Sequence, residues 1–480
     1  MTRVRPGDLL DGFMIGETLH SGGMAELFRV TYEGGRVDPG FSMVMKVPRM
    51  GGGEGAENLV GFEVELQMLQ ALQGPHVPRL VAAGDMARVP YIVMEYVPGR
   101  TLQQLLDELA PGTRAPPETV AKWGRELALA AHSLHLQNAV HLDLKPANAI
   151  MRPDGRCVLV DFGLSWHAHY PDLLAEEMRV AIGSPAWIAP EQVVGVRGDP
   201  RSDVFAIGVI LYELATGELP FGVPSTTGGL RQRLWMDPTP PRARDASVPP
   251  WLQEIVLRCL EPEAAQRYAS AAHLAMDLAH PSQVRVGERG LRTERTSWRT
   301  HLKRWIRAAG LHYRPSPRPV QRIDEVPIVM VAVPHEGATD ATLYSLREAV
   351  KRSLGIRPGA RLACVTVVAP GNPVASGSID EAELHRHHME QLRQWSRGID
   401  LEGHQVSCHV LQDTDVSRAL LAYARTNEVS LVVVGAPTHG LAMRRIVPTV
   451  PARIANEAPC SVLLVKQREP FQLLAGAQGA

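Results

Sequence analysis

The chain has 480 residues, too long for one ordinary hydrophobic core, so two or three domains are expected. Hydrophobic residues make up 45% and charged residues 21%, which excludes a disordered chain, and no apolar run is long enough for a transmembrane helix. The formal net charge of −1, from 50 Lys+Arg against 51 Asp+Glu, argues against a polyanion partner, and no nucleic acid is expected. Residues 10–50 read as β-strands with glycine turns, and residues 57–72 carry apolar positions at helical spacing. YIVMEYV (91–97) reads as a further strand. From about 101 to 280 the pattern is largely helical, broken by extended pieces at AVHLD (139–143) and CVLVDFG (157–163). Residues 284–322 hold 11 Lys+Arg and 2 Asp+Glu, with Pro315, Pro317 and Pro319 near the end, and read as a linker. From about 326 five short apolar runs, PIVMVAV, RLACVTVV, QVSCHVL, SLVVVG and SVLLV, alternate with helical patterns at 340–354, 380–397, 415–427 and 449–457. That βαβ series predicts a parallel sheet covered by helices. The start, MTRVRPGDLLDG, has no apolar core of signal-peptide length, and Cys157, Cys259, Cys364, Cys408 and Cys460 form no CxxC pair. A cytoplasmic protein with reduced thiols is therefore expected.

The segment HLDLKPANAI (141–150), followed by VDFG (160–163), carries chemistry. Phosphoryl transfer from ATP needs a carboxylate near the acceptor hydroxyl, ligands for Mg²⁺ and positive charge near the phosphates. Asp143, Lys145 and Asn148 supply those parts from one loop, and Asp161 adds a metal ligand. Upstream, LHSGGMAELFRV (19–30) is a glycine-bearing turn between strands, Lys46 lies on the next strand, and Glu65 lies on the helix after it. Only six of the 50 basic residues are lysines, and Lys46 and Lys145 are two of them. Singly, each residue has an ordinary reading: a solvated edge lysine, a surface glutamate, a turn aspartate. In order, and continued by GSPAWIAPE (183–191), SDVFAIGVILYEL (202–214) and AQRYAS (265–270), they make a set. Residues 10–282 resemble a protein kinase, in particular the bacterial eukaryotic-like (Hanks-type) serine/threonine kinases.

The resemblance implies the α+β bilobal kinase fold, use of ATP with Mg²⁺ (or Mn²⁺ in its place), and protein substrates phosphorylated on Ser/Thr, the chain itself included. By position, Lys46 would hold the α- and β-phosphates, and Glu65 would orient it. Asp143 would accept the proton of the substrate hydroxyl, and Lys145 would steady the γ-phosphate. Asn148 and Asp161 would hold the metal. Gly22 and Gly23 would let backbone N–H groups approach the phosphates. The backbone of Glu95 and Val97 would bond adenine, with Met94 behind. Glu191 and Arg267 would form a buried structural pair, and Asp203 would brace the catalytic loop. Three positions depart from the family pattern. His20 and Ala25 replace the first and third glycines of the turn. Leu142 replaces an arginine that in many kinases binds a phosphate on the activation loop. The expectation is therefore activity independent of activation-loop phosphorylation. The rival is a pseudokinase-like scaffold, which the altered glycines and Leu142 favour and the complete Lys46, Glu65, Asp143, Asn148 and Asp161 set opposes.

Residues 283–325 are expected to be a basic linker. Within it Trp298, Leu302, Trp305, Ile306 and Ala309 fall on one helical face, with Arg299, Lys303, Arg304 and Arg307 on the rest. Such a helix can lie on an anionic membrane as a peripheral contact or pack on its own chain; packing through the large apolar anchors is the expectation. Residues 326–467 resemble the universal stress protein family through the βαβ series and the ending VVVGAPTHG … RIANEAPCSVLLV (432–465). The resemblance implies an α/β domain with a five-stranded parallel sheet that pairs with a second copy through its last strand, SVLLV (461–465). The ATP-binding pattern of some members is broken here. Pro334 and His335 stand where an Asp is needed, Gly435 and Gly440 are too far apart, and Pro448 has no N–H to offer a phosphate. A regulatory or dimerising role is expected for this domain.

Overall fold

A computed structural model describes residues 4–33, 39–49, 55–85, 89–109, 114–174, 183–296, 298–310, 327–334, 339–354, 360–369, 381–399, 404–436 and 449–466. The chain divides into two units, Met1–Ile323 and Asp324–Ala480.

The first unit opens with a sheet of β1 (Leu9–Leu10), β2 (Phe13–Ser21), β3 (Ala25–Tyr32), β4 (Met43–Pro48), β5 (Leu80–Ala83) and β6 (Ile92–Glu95), in the order β1-β2-β3-β4-β6-β5 and antiparallel throughout. Strand periodicity of two sends Phe13, Ile15, Phe28, Val30, Met43, Met45 and Val93 to one apolar cluster. Val44, Ile92 and Met94, on alternate positions, join Phe62, Met68 and Leu69 of helix α1 (Gly55–Ala71) in another. This is the small lobe, and it sets Lys46 of β4 against α1.

The large lobe is helical. Helix α2 (Pro117–Leu136) starts with a proline in its first turn, where no N–H is missed, and carries Glu118 there to meet the helix dipole. Helix α3 (Arg201–Thr216) is buried on nearly every side, so it reads as apolar all round rather than amphipathic. Around it pack α2, α4 (Pro250–Cys259) and α5 (Ala271–Ala279). Short strands cross the face toward the small lobe. β7 (Arg100–Thr101), β9 (Ala149–Met151) and β10 (Cys157–Leu159) pair in the order β10-β9-β7, and β8 (Ala139–Val140) pairs with β11 (Trp166–His167). Residues 141–148 therefore hang between β8 and β9, and residues 160–165 between β10 and β11.

The basic stretch from 284 is not free-standing. Helix α6 (Glu288–Leu291) is tied to α4: Gln253 Nε2 donates to the carbonyls of Arg289 and Arg292 at 2.7 Å each. Glu254 Oε2 accepts from the backbone N–H of Gly287 (2.9 Å) and Gly290 (2.8 Å). Helix α7 (Trp298–Gly310) follows, and it docks on the large lobe, but through Arg304, which pairs with Asp237 at 2.5 Å. Trp305, expected as an anchor, is exposed. Pro315, Pro317 and Pro319 lie outside the described residues.

The second unit is a parallel sheet of β12 (Ile328–Ala332), β13 (Arg361–Val368), β14 (Gln405–Gln412), β15 (Leu431–Gly435) and β16 (Ser461–Val465), in the order β14-β13-β12-β15-β16. β12 and β13 are buried along their whole length, as strands covered on both faces must be, hence their continuous apolar sequence. Helices α8 (Asp340–Leu354), α9 (Glu381–Arg397), α10 (Val416–Thr426) and α11 (Val450–Glu457) alternate with the strands. Asp415 caps α10 by accepting from the Arg418 N–H at 3.0 Å. Pro334 follows β12, as expected; His335, Gly440 and Pro448 lie outside the described residues. None of the five cysteines is in a disulfide. Among the described residues no helix is long and apolar enough to cross a membrane.

Candidate active site

The β8–β9 loop, the β10–β11 loop, β4 and α1 bring the sequence-predicted residues together. Lys46 Nζ donates to Glu65 Oε2 at 2.5 Å and to Asp161 Oδ1 at 3.0 Å. Burial disfavours the Lys46 ammonium, but the two carboxylates outweigh it and raise its pKa above the ordinary lysine value. Asp161 is held below the ordinary carboxylate range, chiefly by the Lys46 charge. Glu65 is raised by its own burial despite Lys46. Helix α1 comes this close because Gly61 meets Gly163 backbone to backbone: a Cβ on Gly163 would stand 3.2 Å from the Gly61 carbonyl oxygen. A lone glycine inside a helical pattern was the available signal for that contact.

Asp143 sits in a net of donors. Lys145 Nζ (2.8 Å) and Asn148 Nδ2 (3.2 Å) donate to Oδ2, and the Ser184 N–H donates to Oδ1 at 2.8 Å. Lys145 also donates to Ser184 Oγ at 3.0 Å, so Ser184 links the loop after 183 to the catalytic loop. Asn148 Nδ2 reaches the Asp143 carbonyl as well (3.0 Å), which leaves its amide oxygen as its donor to a metal. That oxygen and the Asp161 carboxylate are hard ligands of the kind Mg²⁺ takes.

Asp203 braces the loop as expected. It accepts from the backbone N–H of His141 and Leu142, both at 2.9 Å, and bonds His135 Nε2 at 2.8 Å. These bonds hold Leu142 at φ 63, and Asp161 at φ 66 is left-handed too; neither conformation is favourable for such residues. Gln192 closes the other side, donating to the Leu142 carbonyl at 2.8 Å. The roles of His135 and Gln192 were not legible in the sequence, because each acts on a partner far along the chain, His135 on the Asp203 carboxylate and Gln192 on the Leu142 carbonyl.

The glycine turn joins β2 to β3, with Gly22 N–H donating to the Ala25 carbonyl at 3.0 Å. A Cβ at Gly22 would stand 3.1 Å from His20 Nε2, so the His20 ring lies against the turn. Over Gly23 no atom comes within 4 Å of where a Cβ would stand, an open approach of the kind a phosphate needs. Arg49 ties the hairpin to β4: it pairs with Glu26 at 2.8 Å and bonds Ser21 Oγ. At the hinge Glu95 and Val97 are buried. The Glu95 carboxylate is taken by Arg152 Nη2 at 2.6 Å and its N–H by the Arg79 carbonyl at 2.9 Å, so its backbone carbonyl is what it can offer an adenine.

Arg197 was not singled out in the sequence. Its Nε donates to both Asp172 oxygens (2.9 and 3.2 Å), and its Nη2 donates to the Leu164 carbonyl at 2.9 Å. This clamp fixes the stretch after Gly163 with a carboxylate that the chain itself encodes.

The family model of the protein kinase domain matches residues 31–279, and that of the universal stress protein family matches residues 328–466. Serine/threonine-protein kinase PknB of Mycolicibacterium smegmatis is 31% identical over 340 residues, covering 68% of this chain and 53% of that protein. PknL of Mycobacterium tuberculosis is 32% identical over 271 residues, covering 56% of this chain and 66% of that protein. PknB of Mycobacterium leprae is 30% identical over 277 residues, covering 57% and 43% respectively. The chain thus matches between about two fifths and two thirds of the length of these relatives.

Proposed function

Because this chain belongs to the protein kinase family, we propose that it is a serine/threonine kinase, transferring the γ-phosphoryl of ATP to Ser/Thr hydroxyls of proteins, itself included. The observation that carries this reading is the continuous ionic chain Glu65–Lys46–Asp161 beside the Asp143–Lys145–Asn148 net. Bound Mg²⁺–ATP supplies the phosphoryl group and the metal charge that offsets its negative oxygens. Lys46, held in place by Glu65, positions the α- and β-phosphates. Asn148 and Asp161 hold the metal, and Gly22 and Gly23 admit the phosphates to the backbone. Asp143 orients the acceptor hydroxyl and takes its proton, while Lys145, anchored by Ser184, meets the transferred group. Lys145 and Ser184 favour Ser/Thr over Tyr acceptors. The reading takes the chain to be cytoplasmic, where ATP and Mg²⁺ are available. Incubation with γ-labelled ATP and Mg²⁺ is expected to label the protein or a generic substrate, and Lys46→Ala to abolish the label. No label from the wild type would move the assignment to a scaffold.

Activity is expected not to require activation-loop phosphorylation. Leu142 offers no cation to a phosphate, and Arg197 already ties Leu164, Ser165 and Asp172 together. Phosphatase-treated enzyme should keep its kcat within about twofold, whereas Arg197→Ala should lower it roughly tenfold, the scale of one charge-assisted contact. Loss of nearly all turnover on dephosphorylation would contradict this.

The second unit is proposed to pair with a second copy through β16. This edge strand leaves Leu463 and Leu464 exposed beside unpaired backbone, a template for another strand. Analytical ultracentrifugation of the full chain should show a dimer that Leu464→Lys splits; a monomer at micromolar concentration would count against it.

A further inference from the structure

Helix α7 is amphipathic in sequence, yet it docks by its polar side. Arg304 pairs with Asp237, and Thr296, just ahead of the helix, donates to the same carboxylate at 2.7 Å. Arg292 reaches it at 3.3 Å, and the His301 ring meets Trp235 edge-on at 6.0 Å between centroids. The apolar row is left outside: Leu302 is 45% exposed, Trp305 51% and Ile306 61%. With 3.6 residues per turn, His301 and Arg304 form one stripe, Leu302, Trp305 and Ile306 the next, and exposed Arg299 and Lys303 the one after. The helix carries no acidic residue at all. Apolar and cationic stripes thus lie side by side on a helix already fixed to the large lobe.

We propose that α7 is a lipid-docking element, which sinks Leu302, Trp305 and Ile306 into an anionic membrane surface while Arg299 and Lys303 meet the headgroups. Insertion requires no undocking, because the lobe is held by a different stripe. The two adjacent stripes together select this occupant. Residues 284–322 carry 11 − 2 = +9, against 24 − 33 = −9 for residues 1–283 and 15 − 16 = −1 for residues 323–480, so the charge alone could also be met by the acidic part of another copy. An anionic bilayer offers the charge and, directly beside it, an apolar interior for Leu302, Trp305 and Ile306. Three side chains bury little area, so attachment is reversible and depends on the lipid charge. The inference is independent of the phosphotransfer reading and adds a surface at which phosphotransfer would take place.

The test is sedimentation of the full chain with vesicles of phosphatidylcholine, with or without phosphatidylserine. The wild type should pellet with the phosphatidylserine vesicles only and be released by high salt. The double variants Trp305→Glu with Ile306→Glu, and Arg299→Glu with Lys303→Glu, should each partition at least about tenfold less. Peptide phosphorylation in solution by these variants should match the wild type, which separates lost docking from lost folding. Equal pelleting with both vesicle types, or none, overturns the proposal. So does a dimer in ultracentrifugation that the Trp305→Glu, Ile306→Glu variant dissolves, since two copies then cover this face. A Trp305 emission, isolated by difference with Trp305→Phe, that resists acrylamide quenching without lipid also overturns it, since the chain itself then covers the indole.

Discussion

Asp143→Asn should lower kcat by about 10²–10⁴, the range general acid–base groups contribute, with little change in KM for ATP. The amide keeps one oxygen to accept from the Ser184 N–H or from Lys145, which now bond separate Asp143 oxygens at 2.8 Å each, so the loop stays folded. It has no basic oxygen for the proton of the acceptor hydroxyl. The loss therefore falls on the step in which that proton moves, not on nucleotide binding, which the proposed mechanism assigns to Lys46 and Asp161. Steady-state kinetics on a peptide, with an unchanged melting midpoint as the folding control, checks it. A kcat within tenfold of the wild type would mean that Asp143 is not the base.

Arg267→Ala should destabilise the first unit by about 3–5 kcal/mol, the cost of stripping one partner from a buried ion pair. Its guanidinium grips both Glu191 oxygens (2.7 and 2.8 Å), and both side chains are fully buried. It also donates to the carbonyls of Glu261 (2.8 Å), Pro262 (3.0 Å) and Arg201 (2.9 Å) and stacks over Phe205 at 4.9 Å. Alanine leaves Glu191 charged in the core, with Ser202 Oγ at 2.6 Å as its remaining side-chain donor. Lysine rescues poorly, because one ammonium cannot span two oxygens and three carbonyls. The double variant Glu191→Met with Arg267→Met should lose less than Arg267→Ala, since no bare charge remains. Denaturant midpoints of the kinase unit decide this, with the second unit's transition treated separately. A double variant that loses more than the single one would show that the pair stabilises outright.

The alternation of strands and helices in the second unit was legible, because local periods of two and 3.6 residues report which faces are covered; in the first unit β5 and the order of the large-lobe helices were not. Fully buried β12 and β13 show it best, where an unbroken apolar run implied a sheet sandwiched between helices. The catalytic set was legible for a different reason. Asp143, Lys145 and Asn148 lie within one loop, and Lys46, Glu65 and Asp161 recur in fixed order, so their convergence needed no knowledge of packing. Helix α7 shows the limit. Its apolar row was visible in the sequence, and packing through that row was expected; the structure docks the helix through Arg304 instead. Amphipathicity says which side chains share a face, and says nothing of which face a distant carboxylate will claim.

The sequence by itself determined the parts: two units of stated architecture, and the set of residues proposed to bind phosphate, hold a metal and accept a proton. Only the tertiary structure decided how the remaining charged and polar side chains are matched. It set Arg197 on Asp172, His135 on Asp203 and Arg304 on Asp237, and it brought Gly61 onto Gly163. Steric periodicity acts between near neighbours along the chain, so it is written in local pattern. Coulomb attraction and backbone contact act between neighbours in space, and those partners exist only once the chain has folded.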